Sequence, residues 1–477
     1  MGAMETAGPN NMTLPLRASE RRWLLLVIDA ATALLAVLLA LGIWALKAPE
    51  RLTGAFVAAR WHWFPLLAGA WLLLAAFNDL YNLEVASDAR STLLALARVA
   101  AIELLAYLLF YFFSPPQRIL PRGVVLYHAS ASFVLVGGWR ALYRFLLGRA
   151  AFRRPALVVG AGWAGRTIVE AVAEHPGAGL ELLGFIDDDP AKQHETIAGL
   201  PVLGTSQDLA ALVRAQGVRQ VILAITHGIR DELFRGLMAC QAQGVEITPM
   251  PVLYEATTGR VPVQHVGDNW LAALPLDHAA VAGFFPLFKR AFDVLVSLIG
   301  LAIFGVFFPF VALALTIDSP GPIFYRQERV GRGGGTFQLL KLRSMIPDAE
   351  KKGRAMWAQE EDPRVTRVGR LLRATHVDEL PQFINILKGD MSVVGPRPER
   401  PRFVAELEQQ VPFYRLRHAV KPGMAGWALV HCGYSSSVED ALIKVQYDLY
   451  YIKHQSIYLD VLILFKTLID MVTLGGR

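Results

Sequence analysis

Long apolar stretches constrain this sequence more than any other feature. Four of them fall in the first third of the chain, at residues 23–46, 61–77, 93–113 and 123–147. Each approaches the roughly 20 residues that a helix needs to cross a bilayer, and their apolar residues are not confined to one face. An apolar content of 54% and a mean hydropathy of +0.37 exclude a disordered chain, a fibrous repeat and a small disulfide scaffold. The sequence therefore predicts a four-helix transmembrane bundle over residues 23–150, after an N-terminal tail at 1–22.

Basic residues flank this predicted bundle at both of its ends. Arginines precede the first stretch and follow the fourth: Arg17, Arg21, Arg22, Arg149, Arg153 and Arg154. Cytoplasmic segments next to membrane helices carry an excess of Lys and Arg, so both ends of the bundle are expected on the cytoplasmic face. The two cysteines, Cys240 and Cys432, lie far apart and in no metal-like spacing, as expected in a reducing compartment.

Residues 153–275 have a different character. Short β-branched runs at 156–159, 220–225 and 245–249 alternate with helix-like segments. This alternation is typical of a Rossmann-like α/β domain with a parallel sheet.

A glycine-rich turn follows the first of these runs. Gly160, Gly162 and Gly165 have the spacing that lets a backbone approach a phosphate, and Asp187 follows a second strand where a ribose could be held. Two interpretations stay open: a nucleotide site, or glycines that only permit a tight turn and close helix packing.

A fifth apolar stretch, residues 294–317, has no charged residue and contains Pro309. If it crossed the bilayer, the rest of the chain would lie on the opposite side from the α/β domain, although basic residues flank the stretch at both ends. A helix that enters, bends at Pro309 and leaves on the same face resolves this conflict, because proline disrupts the preceding turn. An ordinary span with a proline kink is the alternative.

Groups that suit phosphate chemistry are concentrated after this stretch. Residues 326–373 hold twelve Lys or Arg against six Asp or Glu, a balance that suits anionic phosphates beside a membrane. An acidic pair, Asp378 and Glu379, is bracketed by the cations of Lys341, Arg373 and Arg397. These cations could offset charge that develops on a transferred phosphoryl group.

The surroundings of the acidic pair predict its local structure. Thr375 and Asp378 have capping-box spacing, and Pro381 is tolerated only near a helix start, so the pair is expected at a helix N-terminus. Adjacent side chains on a helix diverge by about 100°, so one carboxylate could attack phosphorus while the other binds Mg²⁺. A solvated helix start is the simpler interpretation of an isolated Asp-Glu dipeptide, but the surrounding cations favour a reactive site.

Several short motifs accompany the pair. They are Lys-Leu-Arg-Ser-Met at 341–345, Asp-Pro-Arg at 362–364, Asp-Glu-Leu-Pro-Gln at 378–382, Gly-Pro-Arg-Pro-Glu at 395–399, Lys-Pro-Gly at 421–423 and Gly-Trp at 426–427. Through them residues 288–475 resemble the bacterial sugar transferase family of polyprenyl-phosphate sugar phosphotransferases. The whole chain resembles the long, polytopic form of that family.

The resemblance implies an α-rich catalytic domain at 284–477 with a re-entrant membrane helix at about 286–317. It also implies that the α/β domain is CoA-binding-like and regulatory. The protein would lie in the bacterial inner membrane with its catalytic domain on the cytoplasmic face. A homodimer is compatible with the resemblance, and no nucleic acid partner is expected.

The implied reaction is a ping-pong transfer that starts exopolysaccharide, capsule or O-antigen synthesis. Asp378 would attack the β-phosphorus of a UDP-sugar, with UDP-glucose or UDP-galactose expected, and release UMP. Undecaprenyl phosphate would then take the phosphosugar. Glu379 would carry Mg²⁺.

The resemblance also assigns residues to substrate. Arg373 and Arg397 match phosphate-binding positions, and Lys341 matches the lysine of its own motif. The remaining substrate-binding candidates are Arg343, Arg364, Pro396, Pro398 and Asp448. Many relatives follow the Gly-Trp segment with Gly-Arg-Asn, whereas this chain has Gly-Tyr-Ser at 433–435.

Two other function classes are alternatives. A membrane-anchored NAD-dependent nucleotide-sugar dehydratase needs a Tyr-x-x-x-Lys pair, and none of the thirteen tyrosines has Lys at that spacing. A non-enzymatic membrane scaffold or sensor explains the first two thirds of the chain but leaves the Asp378 cluster without a role.

Overall fold

A computed structural model of the protein describes residues 18–47, 53–115, 119–147, 153–225, 228, 230–263, 284–346, 364–432 and 437–472. The chain divides into two compact units, Met1–Leu253 and Tyr254–Arg477. The first unit contains a helical bundle and an α/β domain. The second unit is mainly helical and contains the acidic pair. The predicted boundary between the α/β and catalytic domains, at 275–284, falls on residues that are almost all outside the described ranges.

The described part of the bundle consists of helices of very different lengths. They are α1 (Ala18–Lys47), α2 (Gly54–Arg60), α3 (Trp63–Phe77), α4 (Leu83–Ser87), α5 (Ala89–Phe113) and α6 (Arg122–Leu147). The four longest pack on one another and enclose fully buried side chains such as Trp71 and Leu96.

Length and apolar composition identify three candidate membrane spans among the described residues: Ser19–Lys47, Ala89–Phe113 and Phe285–Asp318. These helices contain the first, third and fifth predicted apolar stretches. Helix α3 has only 15 residues, fewer than the roughly 20 that cross a bilayer. Helix α6 has 26 residues, but it is not among the candidate spans. The four-span bundle therefore remains a prediction at its second and fourth helices.

A buried ion pair explains why a charge interrupts the first apolar stretch. Arg140 of α6 donates to the Asp29 carboxylate at 2.5 Å and to the Leu80 carbonyl at 2.7 Å. Both charged side chains are fully buried. Charged residues in apolar helices face the bundle interior and pair with each other in this way.

The α/β domain contains a six-stranded sheet. Its elements are β1 (Arg154–Val159), α7 (Trp163–Glu174), β2 (Leu180–Ile186), β3 (Thr196–Ile197), β4 (Leu200–Gly204), α8 (Leu209–Ala215), β5 (Gln220–Leu223), α9 (Asp231–Ala242), β6 (Glu246–Pro249) and α10 (Met250–Thr258). The strand order is β3-β4-β2-β1-β5-β6, parallel except for the antiparallel pair β3 and β4. The predicted Rossmann-like domain is confirmed: the runs at 156–159 and 220–225 form the buried central strands β1 and β5, and the run at 245–249 forms the edge strand β6.

The second unit combines one very long helix with shorter elements. They are α11 (Phe285–Asp318), β7 (Phe324–Val330), β8 (Thr336–Leu342), α12 (Arg367–Ala374), α13 (Gln382–Lys388), β9 (Ser392–Val394), α14 (Pro401–Gln410), β10 (Gly423–Ala425), α15 (Trp427–Cys432), α16 (Val438–Lys453) and α17 (Ile457–Val472). Strands β7 and β8 form an antiparallel hairpin, and β9 pairs with β10 in parallel.

Polar side chains near the start of α11 attach this apolar helix to its unit. Arg290 donates to two carbonyls in the last turn of α13, both at 2.6 Å. Asp293 accepts from the Ser392 hydroxyl and the Val393 N–H, both at 2.9 Å. Only 11% of the most apolar 18-residue window of α11 is buried, as expected for a helix in contact with lipid. The helix continues through Pro309, so this proline does not end it.

The contact between α11 and α13 can be tested at a glycine. A Cβ atom added to Gly300 would lie 2.2 Å from the ring of Phe383, whereas one added to Gly305 would meet nothing within 4 Å. Overpacking of this kind costs about 1–3 kcal/mol, so Gly300→Ala should lower the apparent Tm in detergent by roughly 3–9 °C. Gly305→Ala is the matched control and should leave the Tm unchanged or slightly higher. Equal melting temperatures for the two variants would contradict this packing.

Candidate active site

The acidic pair lies in a 3₁₀ turn, Val377–Glu379, between α12 and α13. Pro381 immediately precedes α13, so the predicted helix start is confirmed. The predicted capping box is wrong, because Thr375 ends α12 and its hydroxyl donates back to the Leu371 carbonyl at 2.8 Å. His376 then adopts a left-handed φ of 54°, which ends the helix and is costly for a residue with a side chain.

Two cationic side chains bind the Glu379 carboxylate. The Lys341 ammonium donates to its Oε1 atom at 2.7 Å, and Arg397 donates to the same oxygen at 2.6 Å. A second nitrogen of Arg397 lies 3.4 Å from Oε2. Burial raises the pKa of the Glu379 carboxyl, but the charges and hydrogen bonds of Arg397 and Lys341 outweigh it and hold the pKa below its ordinary value. Glu379 is therefore ionised.

At Asp378 the effect of burial on the pKa outweighs that of the nearby cations. Asp378 is 6% exposed, and burial raises its pKa to about 6. The charge of Lys341 is the largest opposing effect, followed by those of Arg373 and Arg397, while the negative charge of Glu379 adds to the rise. Two adjacent carboxyl groups thus have pKa values pushed apart by their surroundings, which is the usual mark of groups with separate chemical roles.

A side chain of α13 holds strand β8, which carries Lys341, in place. The side chain of Asn385 accepts from the Leu340 N–H at 3.0 Å and donates to the Gln338 carbonyl at 2.8 Å. This buried amide replaces a neighbouring strand along the edge of β8. It places Lys341 opposite Glu379, and sequence reasoning missed Asn385 because no local pattern marks an amide whose partners lie more than forty residues away.

The loop that carries Arg397 is held by a buried ion pair that the sequence did not reveal. Arg417 donates to the Asp448 carboxylate at 2.8 and 3.1 Å and to the backbone carbonyl of Arg397 at 3.1 Å. Asp448 is 1% exposed. The structure thus connects Asp448 to the site through Arg417, and direct substrate binding by Asp448 stays a prediction. No sequence signal distinguishes Arg417 from Arg415, which lies two residues earlier and is exposed.

The remaining substrate-binding candidates have diverse surroundings. The Arg343 guanidinium is buried and donates to the Ser319 and Pro320 carbonyls after α11. Pro396 and Pro398 are buried on either side of Arg397. Arg364 accepts a backbone hydrogen bond from the Ile346 N–H at 2.9 Å. Their substrate roles stay predictions, and Asp362 and Pro363 of the same motif lie outside the described residues.

The glycine-rich turn of the α/β domain is closely packed. A Cβ atom on Gly165 would lie 2.0 Å from the Gly160 carbonyl oxygen, so this position requires glycine for helix packing alone. The Asp187 carboxylate accepts from the Ala161 N–H at 2.7 Å, which occupies one amide of the turn. Gly162 is the N-cap of α7. Packing explains Gly165, and nucleotide binding at this turn stays a prediction.

Residues 284–474 match the family described as bacterial sugar transferase. The UDP-glucose:undecaprenyl-phosphate glucose-1-phosphate transferase of Escherichia coli K12 is 31% identical over 353 residues, which cover 69% of this chain and 74% of that protein. The chain belongs to the bacterial sugar transferase family.

Other comparisons extend beyond the family domain. The UDP-N-acetylgalactosamine-undecaprenyl-phosphate N-acetylgalactosaminephosphotransferase of Aeromonas hydrophila is 40% identical over 260 residues, which cover 53% of this chain and 60% of that relative. Residues 76–251 match a CoA-binding domain family. A crystal structure of RSP, a Rex-family repressor, aligns with a TM-score of 0.20 at 18% identity, covering 24% of this chain and 52% of that one.

Proposed function

We propose that this protein transfers a sugar-1-phosphate from a UDP-sugar to undecaprenyl phosphate, which starts the synthesis of a polysaccharide. The observation that supports this function best is the acidic pair. Two cations hold the Glu379 carboxylate ionised, and its neighbour Asp378 is buried with a raised pKa. A carboxylate nucleophile divides a difficult phosphoryl transfer into two easier steps.

The proposed reaction proceeds through the Asp378 carboxylate. One carboxylate oxygen attacks the β-phosphorus of the UDP-sugar, and the bond from that phosphorus to the bridging oxygen breaks, so that UMP leaves with both bond electrons. A phosphate oxygen of undecaprenyl phosphate then attacks the phosphorus of the acyl-phosphate. This step releases undecaprenyl-diphosphate sugar and restores the carboxylate.

The cations around the pair suit the charge that moves in these steps. Lys341 and Arg397 converge on Glu379 within hydrogen-bond distance, and the charge of Arg373 reaches Asp378. Preorganised donors stabilise developing charge most effectively in a site shielded from water. We assign Arg397 and Arg373 to the donor diphosphate and Lys341 to the orientation of Glu379.

Glu379 is the residue of this site that would hold Mg²⁺. Its ionised carboxylate is a hard oxygen ligand beside the nucleophile, and Mg²⁺ is often held by one or two carboxylates together with substrate phosphates. No cluster of three or more His, Cys, Asp or Glu occurs among the described residues, and we propose that Glu379 shares the ion with the phosphates of the substrate. When bound, Mg²⁺ would neutralise charge on the diphosphate.

The contacts of α11 support a re-entrant helix. Asp293 binds β9, and Asp318, 25 residues later, accepts from the Val368 N–H of α12 at 2.9 Å. A straight helix of this length extends about 37 Å, more than the roughly 30 Å of a bilayer core. A full span would place these contacts on opposite sides of the membrane, although β9 and α12 belong to one compact unit. A helix that returns to the face it entered accommodates both.

The donor sugar is proposed at the level of a UDP-hexose. UDP-glucose and UDP-galactose are the expected donors, and the relatives' names add N-acetylgalactosamine. The α/β domain is proposed to regulate the enzyme, and the protein is proposed to act as a homodimer in the inner membrane. UMP release from a panel of UDP-sugars identifies the donor.

Replacing the nucleophile gives the most direct test. Asp378→Asn should abolish UMP release and sugar transfer while UDP-sugar binding is largely retained, because an amide cannot form the acyl-phosphate. The control is Asp231→Asn, an exposed change in α9. Mass mapping of wild-type protein trapped with UDP-sugar should place the adduct on Asp378. Wild-type turnover by the variant would remove Asp378 from the mechanism.

The pKa of Asp378 predicts the acid limb of the pH profile. Because its carboxylate must be ionised to attack and its pKa is about 6, UMP release should fall about tenfold per pH unit below pH 6. Lys341→Met removes the cation that most lowers this pKa, so the limb should move to higher pH. Lys388→Met, at an exposed position, is the control and should leave it in place. An unshifted limb in Lys341→Met would contradict the assignment.

Magnesium dependence tests the role of Glu379. EDTA should stop the reaction, and added Mg²⁺ should restore it. Glu379→Gln should raise the Mg²⁺ concentration needed for half-maximal UMP release at least tenfold, because a charged ligand is lost. The same variant measured by titration of Mg²⁺ binding in the presence of UDP-sugar should show the same weakening. Full activity in EDTA would exclude the metal.

A further inference from the structure

Helix α12 lies beside the C-terminal half of the apolar helix α11. Leu372 is buried in one cluster with Phe304 and Leu315 of α11. The Asp318 carboxylate, the last residue of α11, accepts from the Val368 N–H. Because α11 exposes apolar side chains up to Ile317, which is 77% exposed, its charged end marks the edge of the lipid. These contacts place α12 at the depth of the lipid headgroups.

Three arginines follow one another along α12 at intervals of three residues: Arg367, Arg370 and Arg373. Side chains three apart are neighbours on a helix surface. Arg367 and Arg370 are exposed, and Arg373 is half-buried. The row ends at Arg373, five residues before the proposed nucleophile Asp378, and the charge of Arg373 acts on that carboxyl group.

An apolar side chain accompanies the two outer arginines. Leu371 is 64% exposed, next to Arg370 in sequence and on the outside of the helix. A basic helix surface with an exposed apolar side chain is typical of segments that lie in the membrane interface. Asp318 is close enough to Arg367 for their charges to interact, which leaves Arg370 as the stronger of the two phosphate candidates.

We propose that Arg367 and Arg370 bind the phosphate headgroup of the polyprenyl-phosphate acceptor at the membrane surface, before it reaches Arg373 and Asp378. This inference rests on the proposed function, whose second substrate is a lipid phosphate. Arginine suits this role because its planar guanidinium binds phosphate through two hydrogen bonds. The contact of α12 with the charged end of α11 and the exposure of Arg367 and Arg370 point to the lipid substrate and not to the soluble nucleotide.

The test uses the full-length protein in nanodiscs of neutral phosphatidylcholine with undecaprenyl phosphate as the added anionic lipid. The double variant R367Q/R370Q should raise the KM for undecaprenyl phosphate about tenfold, because two phosphate contacts are lost. The burst of UMP released without acceptor should change less than twofold. Raising the salt concentration should increase the wild-type KM more steeply than the variant KM.

Two further variants make the outcome specific. R367K/R370K keeps the charge and should recover most of the acceptor affinity. R402Q removes an exposed arginine of α14, which pairs with Glu406 at 3.3 Å, and should behave as wild type. The Lys variant and the UMP burst together exclude a folding defect as the cause of the raised KM.

Each contrary result has a distinct meaning. An unchanged KM for the acceptor, or a burst that falls in parallel with the KM effect, would overturn the inference. A defect that occurs only with added phosphatidylglycerol, and not in neutral nanodiscs, would show that the arginines bind bulk anionic lipid and would also overturn it. A wild-type protein that releases no UMP from any UDP-sugar would instead refute the proposed function.

Discussion

Two adjacent carboxylates that are buried together can both be ionised only where enough positive charge surrounds them. In this protein the positive charge is distributed unequally. Lys341 and Arg397 both bind Glu379, and Asp378 is left with a pKa of about 6. The same burial therefore leaves one carboxylate that its cations hold ionised and one that ionises close to physiological pH. The proposed division into metal ligand and nucleophile follows from this asymmetry.

The cations come from separate elements, so the geometry of the site depends on the contacts that hold those elements together. Asn385 holds the edge of β8 and with it Lys341. Arg290 and Asp293 attach α11 to α13 and β9. The apolar helix α11, a candidate membrane span, is thus joined by hydrogen bonds to α13 and β9, the two elements that follow the acidic pair. Membrane attachment and active-site geometry depend on the same contacts.

The sequence predicted the features whose signal is local. The acidic pair, its neighbouring prolines and the bracketing cations are recognisable within short segments, and the parallel sheet follows from its β-branched runs. Thr375 was misassigned because its spacing to Asp378 fits a helix start as well as the end of the preceding helix. Arg417, Asn385 and Asp293 were missed because their partners lie tens of residues away, where neither periodicity nor spacing gives a signal.

The hydrogen bond from Arg417 to the backbone carbonyl of Arg397 affects how the Arg397 side chain can move. The Arg417 guanidinium holds the carbonyl of Arg397 and leaves the Arg397 side chain to other partners. That side chain can therefore exchange Glu379 for an incoming anion by rotating about its own bonds, while the loop beneath it stays still. Arg397 can therefore change the anion it binds without a rearrangement of the backbone.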